Sequence, residues 1–104
     1  MQARTSIVRF QPGTADEGTH IFRDIMLPSA GSQKGFKGAL ILRSDTDLEK
    51  HIIISLWESE ADMLASNPPD EIVPLLEPLE DMIAEIIQDS YEVLLQMGDP
   101  KQRK

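Results

Sequence analysis

Gly35-Phe36-Lys37-Gly38-Ala39-Leu40-Ile41-Leu42 and, after a polar link, His51-Ile52-Ile53-Ile54-Ser55-Leu56-Trp57 decide the fold. Each is a short apolar run rich in β-branched and aromatic residues, so each reads as a strand. The link between them is short and centred on Asp45-Thr46-Asp47. It predicts an antiparallel hairpin. Both runs contain adjacent apolar residues, so both faces of the strands call for cover. Gly35 and Gly38 around the first run read as a turn into the strand, with Gly38 permitting close backbone approach or a bulge.

On the N-terminal side, residues 3–10 read as another strand, closed by Gln11-Pro12-Gly13. Thr14 followed by Glu17 has capping-box spacing. Gly18, Ile21, Phe22, Ile25 and Met26 then make one helical stripe. Pro28 is expected to kink or stop that helix, with Gly31 behind it. On the C-terminal side, Ser59 reads as a helix N-cap, with Asp62 three residues on. Asn67-Pro68-Pro69 must end that helix.

Helical spacing returns through Ile72, Leu75, Leu76, Leu79, Met82, Ile83 and Ile86. Pro78 is expected to split this segment into two helical pieces by opening the second. Residues 87–95 read as a fourth strand, with Asp89, Tyr91, Val93 and Leu95 on one face. The order is β-α-β-β-α-β. It predicts an α+β, ferredoxin-like subunit: a four-stranded antiparallel sheet with its helices on one face. One domain over residues 1–97 and a short polar tail over 98–104 account for all 104 residues. Helices cover only one face of a sheet that is apolar on both. The simplest completion is a homodimer packed sheet on sheet.

Composition narrows the function. There is no cysteine, which removes disulfides, thiolate metal sites and cysteine nucleophiles. His20 and His51 stand too far apart for a helical metal-ligand pair, and no metal site is expected. The net charge is −8, which argues against nucleic acid or an anionic membrane as a partner. Residues 1–50 hold seven Lys or Arg and six Asp or Glu, whereas residues 51–100 hold twelve Asp or Glu and no Lys or Arg. Glu77, Glu80, Asp81 and Glu85 in that half read as a solvated helix face, ahead of a docking surface for a basic partner. No apolar run reaches the ~20 residues of a membrane span, and residues 1–4 do not start a secretory leader. The expected compartment is the cytoplasm. Lys34-Gly35-Phe36 starts like an RNA-recognition signature, but Gly38 and Ile41 stand where stacking aromatics are needed. Gly35-Phe36-Lys37-Gly38 enters a strand, not the helix–helix junction of a KH-type clamp.

The strand order, the Gly-Phe-Lys-Gly at 35–38, the hairpin, and Ser55-Leu56-Trp57-Glu58-Ser59-Glu60-Ala61 together resemble the antibiotic biosynthesis monooxygenase family. The resemblance covers about residues 3–96. It implies a dimeric α+β barrel with one small pocket per subunit, between sheet and helices. It implies oxidation of a small aromatic or quinol-type molecule by O₂ without a cofactor. A haem-degrading branch of the same superfamily uses an Asn, a Trp and a His; the matching positions here hold Ser6, Ala65 and Leu75. Leu75 cannot ligate iron, so that branch is disfavoured.

Under this resemblance the reaction needs an apolar wall, hydrogen-bond donors and an acceptor for a proton. Trp57 is the candidate wall and indole donor, Tyr91 and Ser55 are candidate hydroxyl donors, and His51 is the candidate base. Arg9 and Arg43 are candidates for stabilising an anion, and Ser6 is a candidate substrate contact. The plainer reading of Trp57 is core packing. The alternative at the level of function is a non-catalytic dimeric protein that binds a small molecule.

Overall fold

The hairpin forms as the sequence reads. In the computed structural model, which describes residues 1–98, β2 (Phe36–Arg43) and β3 (Lys50–Trp57) pair antiparallel. Leu40 lies opposite Ile54 and Ile41 opposite Ile53. The register slips between Phe36 and Gly38, so of the two readings of Gly38 it is the bulge that forms. Gly35 precedes it at φ +84. A Cβ there would run into the side chain of Asp62, so this turn needs glycine for both conformation and space. The tail beyond residue 98 lies outside the described residues.

β1 (Gln2–Phe10) pairs antiparallel with β3 on one side and with β4 (Ile83–Glu92) on the other. The sheet order is β2-β3-β1-β4, the ferredoxin-like arrangement. Alternation along the strands assigns two faces. Arg4, Ser6, Val8 and Phe10 share a face with His51, Ile53, Ser55 and Trp57. Thr5 and Ile7 share the other with Ile52, Ile54 and Leu56.

The helices pack on the first face. Val8, Phe10 and Ile53 from the sheet meet Phe22, Leu79 and Met82 in one buried cluster. Phe10 is 1% exposed and Val8 is fully buried. The other face carries apolar side chains with no cover: Ile7, Leu40, Leu42, Ile87 and Tyr91 are all exposed.

Three expectations are corrected. Pro28 does not stop the first helix. α1 (Ala15–Ile21) passes through a π turn at Phe22–Met26 into α2 (Leu27–Gly31). The Leu27 N–H reaches back to the Phe22 carbonyl, five residues away. Pro28 then falls in the first turn of α2. The widened turn absorbs the strain a proline imposes on a regular α-helix.

Thr14 does not cap α1 with its side chain. Its hydroxyl donates to the Gln11 carbonyl at 2.8 Å, with the Met82 carbonyl also in reach at 3.1 Å. That ties the β1–α1 turn to the start of β4.

The fourth strand begins at Ile83, not at residue 87, and ends at Glu92. Ile83 and Ile86 belong to it and not to the helical stripe. They are three apart, which in a regular strand would put them on opposite faces. The register shift between Arg9 and Phe10 sets Ile83 opposite Phe10 and Ile86 opposite Val8, so both reach the helix side. A bulge thus imitated helical spacing. Glu85 moves with them onto the strand, opposite Arg9.

α3 (Glu60–Ala65) starts as expected: the Ser59 hydroxyl accepts the Asp62 N–H at 3.1 Å. Removing this cap in Ser59→Ala is expected to cost about 1 kcal/mol, read as a lower urea midpoint at unchanged slope. Pro78 opens a fresh helix as anticipated, so the segment forms α4 (Val73–Leu76) and α5 (Pro78–Met82). No helix among the described residues is long and apolar enough to cross a membrane.

Candidate functional site

Between the helix-facing side of the sheet and the helices lies a cavity of about 380 Å³, within the range that holds a small organic ligand. β1 contributes Arg4 and Ser6 to its floor, β3 contributes Ser55 and Trp57, and β4 contributes Gln88. The register explains why these meet. Arg4 lies beside Ser55, and Ser6 beside both Ile53 and Gln88. The roof is apolar, built from Phe22, Met26 and Leu27 on one side and Leu76 and Leu79 on the other.

The floor is internally ordered by two side-chain hydrogen bonds. Trp57 Nε1–H donates to Ser55 Oγ at 2.9 Å. Gln88 Nε2–H donates to Ser6 Oγ at 3.1 Å. Trp57 is 2% exposed and meets Phe36 edge to face at 5.4 Å, so its ring is locked from behind. Its N–H is engaged within the protein, which makes the indole a wall that also aims Ser55. The Ser55 and Ser6 hydroxyl protons are left without a partner among the described residues.

Arg4 donates from Nη2 to the Met63 carbonyl at 3.1 Å. That bond ties the start of β1 to α3 and holds the guanidinium at the cavity. On the helix side, Ser29 Oγ is buried without a hydrogen-bond partner among the described residues, and it lines the same cavity. Glu80 also lines it, from an exposed position on α5.

The structure brings Trp57, Ser55 and Ser6 together and leaves the other sequence candidates elsewhere. Tyr91 pairs with Ala3, so it stands on the uncovered face, 54% exposed, with the sheet between it and the cavity. Arg9 is on that same face and pairs with Asp47 at 2.7 Å. Its hydrogen bond holds the Asp47 carboxyl below the ordinary carboxylate range. Arg43 lies at the hairpin end of β2, in a separate shallow hollow with Lys50.

His51 shares the face of Trp57 and Ser55 but sits farther along β3. It is 4% exposed, with its ring edge-on to Phe10 at 5.1 Å. Its Nδ1 is buried without a partner among the described residues, yet the ring does not line the cavity. No group of three or more metal-ligating side chains occurs among the described residues.

Arg4, Gln88 and Ser29 are cavity residues that sequence reasoning passed over. Arg4 had a usable signal, because it lies two residues before Ser6 on a strand and so shares its face. Gln88 lay inside the expected fourth strand, but its partner Ser6 is 82 residues away in the chain and nothing local announces that contact.

Comparison with known proteins adds a family and a fold. A family model described as antibiotic biosynthesis monooxygenase matches residues 5–71. A Nitrosomonas europaea protein named as a candidate antibiotic biosynthesis monooxygenase is 16% identical with a TM-score of 0.78, over 91% of this chain and 100% of that one. SnoaB, a cofactor-independent oxygenase from Streptomyces nogalater, is 14% identical with a TM-score of 0.75, over 94% of this chain and 97% of that one. PA3566 from Pseudomonas aeruginosa is 15% identical with a TM-score of 0.74, over 90% and 94%. At such identities the likeness establishes the fold alone. No curated protein matches the chain by sequence.

Proposed function

The chain belongs to the antibiotic biosynthesis monooxygenase family, and from that premise we propose that it is a cofactor-independent monooxygenase acting with O₂ on a small aromatic or quinol-type molecule. The observation that carries this reading is the cavity itself: an apolar chamber with a donor-bearing floor, walled by a fixed tryptophan. The likeness in fold to SnoaB supports it.

The chemistry balances without an added reductant. An activated aryl methylene loses a proton to water, and the resulting carbanion reacts with O₂. One oxygen atom becomes the product carbonyl and the other leaves as water, so the substrate supplies all the electrons O₂ takes up. The protein's task is then to bind, desolvate and stabilise the substrate anion. Trp57 packs against the ring, and Ser55 and Ser6 donate to the oxygen on which charge develops. His51, Tyr91, Arg9 and Arg43 receive no role here, because none of them lines the cavity.

The test is O₂ uptake with a panel of anthrones and hydroquinones, read against the protein-free rate. Uptake above that rate is expected for at least one member. Trp57→Phe and Ser55→Ala are each expected to lower kcat about three- to tenfold, the worth of one neutral hydrogen bond and its alignment. If no member is consumed faster than without protein, the chain is instead a binding protein of the same fold. Unchanged turnover in Trp57→Phe would remove the role given to the indole.

The same reading includes a homodimer, with the uncovered sheet face of one copy against that of the other. Ile7, Leu40, Leu42 and Ile87 on that face support it, because a wide exposed apolar surface seeks cover. It also includes a cytoplasmic location.

A further inference from the structure

The cavity floor is built of donors. Ser55 Oγ already accepts from Trp57, and Ser6 Oγ already accepts from Gln88. What each hydroxyl has left to offer a ligand is chiefly its proton. Beside them stands Arg4, whose guanidinium uses one N–H on the Met63 carbonyl and keeps the rest. Ion pairs among the described residues join Arg9 to Asp47, Arg23 to Asp24 and Lys37 to Glu58. Arg4, like Lys34, Arg43 and Lys50, has no such partner among them, and of these four it is the one that lines the cavity.

Arg4 is half-buried, so its guanidinium stands at the edge of an apolar chamber with N–H groups available to an anionic ligand. Ser29 Oγ, buried and unpartnered on the facing helix wall, adds another free polar group to the same space. The one carboxylate lining the cavity, Glu80, is exposed to solvent.

We propose that the cavity takes aromatic ligands bearing a carboxylate, and that Arg4 selects them. The guanidinium and the two serine hydroxyls hold the acid group at the sheet, while the ring lies between Trp57 and the apolar roof. A planar carboxylate suits a guanidinium with spare N–H groups. This deepens the reading above by naming the substrate class, and it rests on the cavity being the substrate site.

The test is isothermal titration of the full-length protein with 2-naphthoate and with 2-naphthamide, which share a ring system and differ in charge. Naphthoate is expected to bind at least about tenfold more tightly, because a hydrogen bond to a charged group is worth more than a neutral one. Arg4→Gln is expected to erase that preference, lowering naphthoate affinity about tenfold and naphthamide affinity by much less. Residual naphthamide binding also shows that the cavity survives the substitution. Arg4→Lys is expected to restore part of the preference, since it returns charge without the planar fork.

Equal affinity for the two probes overturns the proposal, as does a preference that persists in Arg4→Gln or no saturable binding of naphthoate up to about 1 mM. Acid-selective binding with no O₂ uptake by any bound aromatic would sink the oxygenase reading and leave this one standing. O₂ uptake with an uncharged anthrone and no acid preference would do the reverse.

Discussion

Phe10→Ala is expected to lower the stability of the fold by about 3–5 kcal/mol. That is a third or more of what a domain of this size usually has. The ring is 1% exposed at the end of β1. It meets Phe22 edge to face at 6.4 Å and His51 at 5.1 Å. From above it is pressed by Gly18 of α1, where a Cβ would collide with the ring. Phe10 therefore joins sheet to helix at the point where β4 also begins, opposite Ile83. A double-substitution cycle separates this contact from general damage. Gly18→Ala alone is expected to destabilise, because overpacking a tight core costs about 1–3 kcal/mol. In the Phe10→Ala background the same change is expected to be neutral or stabilising, since alanine favours a helix by roughly 1 kcal/mol over glycine. Urea unfolding of the four proteins reads the sign change. If Gly18→Ala costs the same in both backgrounds, the two residues are not in conflict, and this account of the core is wrong.

Much of that core was legible in the sequence, because it depends on periodicity. Phe10 stands between Arg9 and Gln11 with Val8 two residues before it on the same face, and Gly18 and Phe22 lie one helical turn apart. The hairpin, the Ser59 cap and the split at Pro78 are local signals and came through intact. What was lost needed partners far away in the chain. The bulge at Arg9 and Phe10 belongs to the pairing of β1 with β4, and without it Ile83 and Ile86 look helical. The π turn at Phe22–Met26 accommodates Pro28 in a way residue types alone do not announce.

The candidate site divided along the same line. Ser55 and Trp57 share a face by simple alternation, and so do Arg4 and Ser6. Alternation does not say how far along the strand the cavity extends. His51 has the right face and still ends in the core against Phe10. Tyr91 and Arg9 have the wrong face. Which face held the cavity was decided by where the helices landed, and that is a tertiary fact.

The uncovered face yields the second large effect. Ile54→Asp is expected to convert a sheet-on-sheet homodimer into a monomer, read as native mass at micromolar concentration. Ile54 lies opposite Thr5 on β1 and Leu40 on β2, with Ile52 and Leu56 to either side along its own strand. It therefore sits in the middle of the apolar face, where a partner sheet would exclude water most completely. Twofold symmetry places the substitution in the interface twice. Burying an unpaired carboxylate costs several kcal/mol, and each 1.4 kcal/mol is about tenfold in affinity. The dissociation constant should rise by about a thousandfold or more. The subunit itself should tolerate the change, because Ile54 is half-exposed before any partner is added. The cavity lies on the opposite side of the sheet, so a folded monomer should still bind a naphthalene probe. A native protein that is already monomeric at these concentrations would refute the pairing outright. A dimer that survives Ile54→Asp would place the contact elsewhere. A monomer that has also lost its ligand would mean that the second subunit helps to shape the cavity through the sheet.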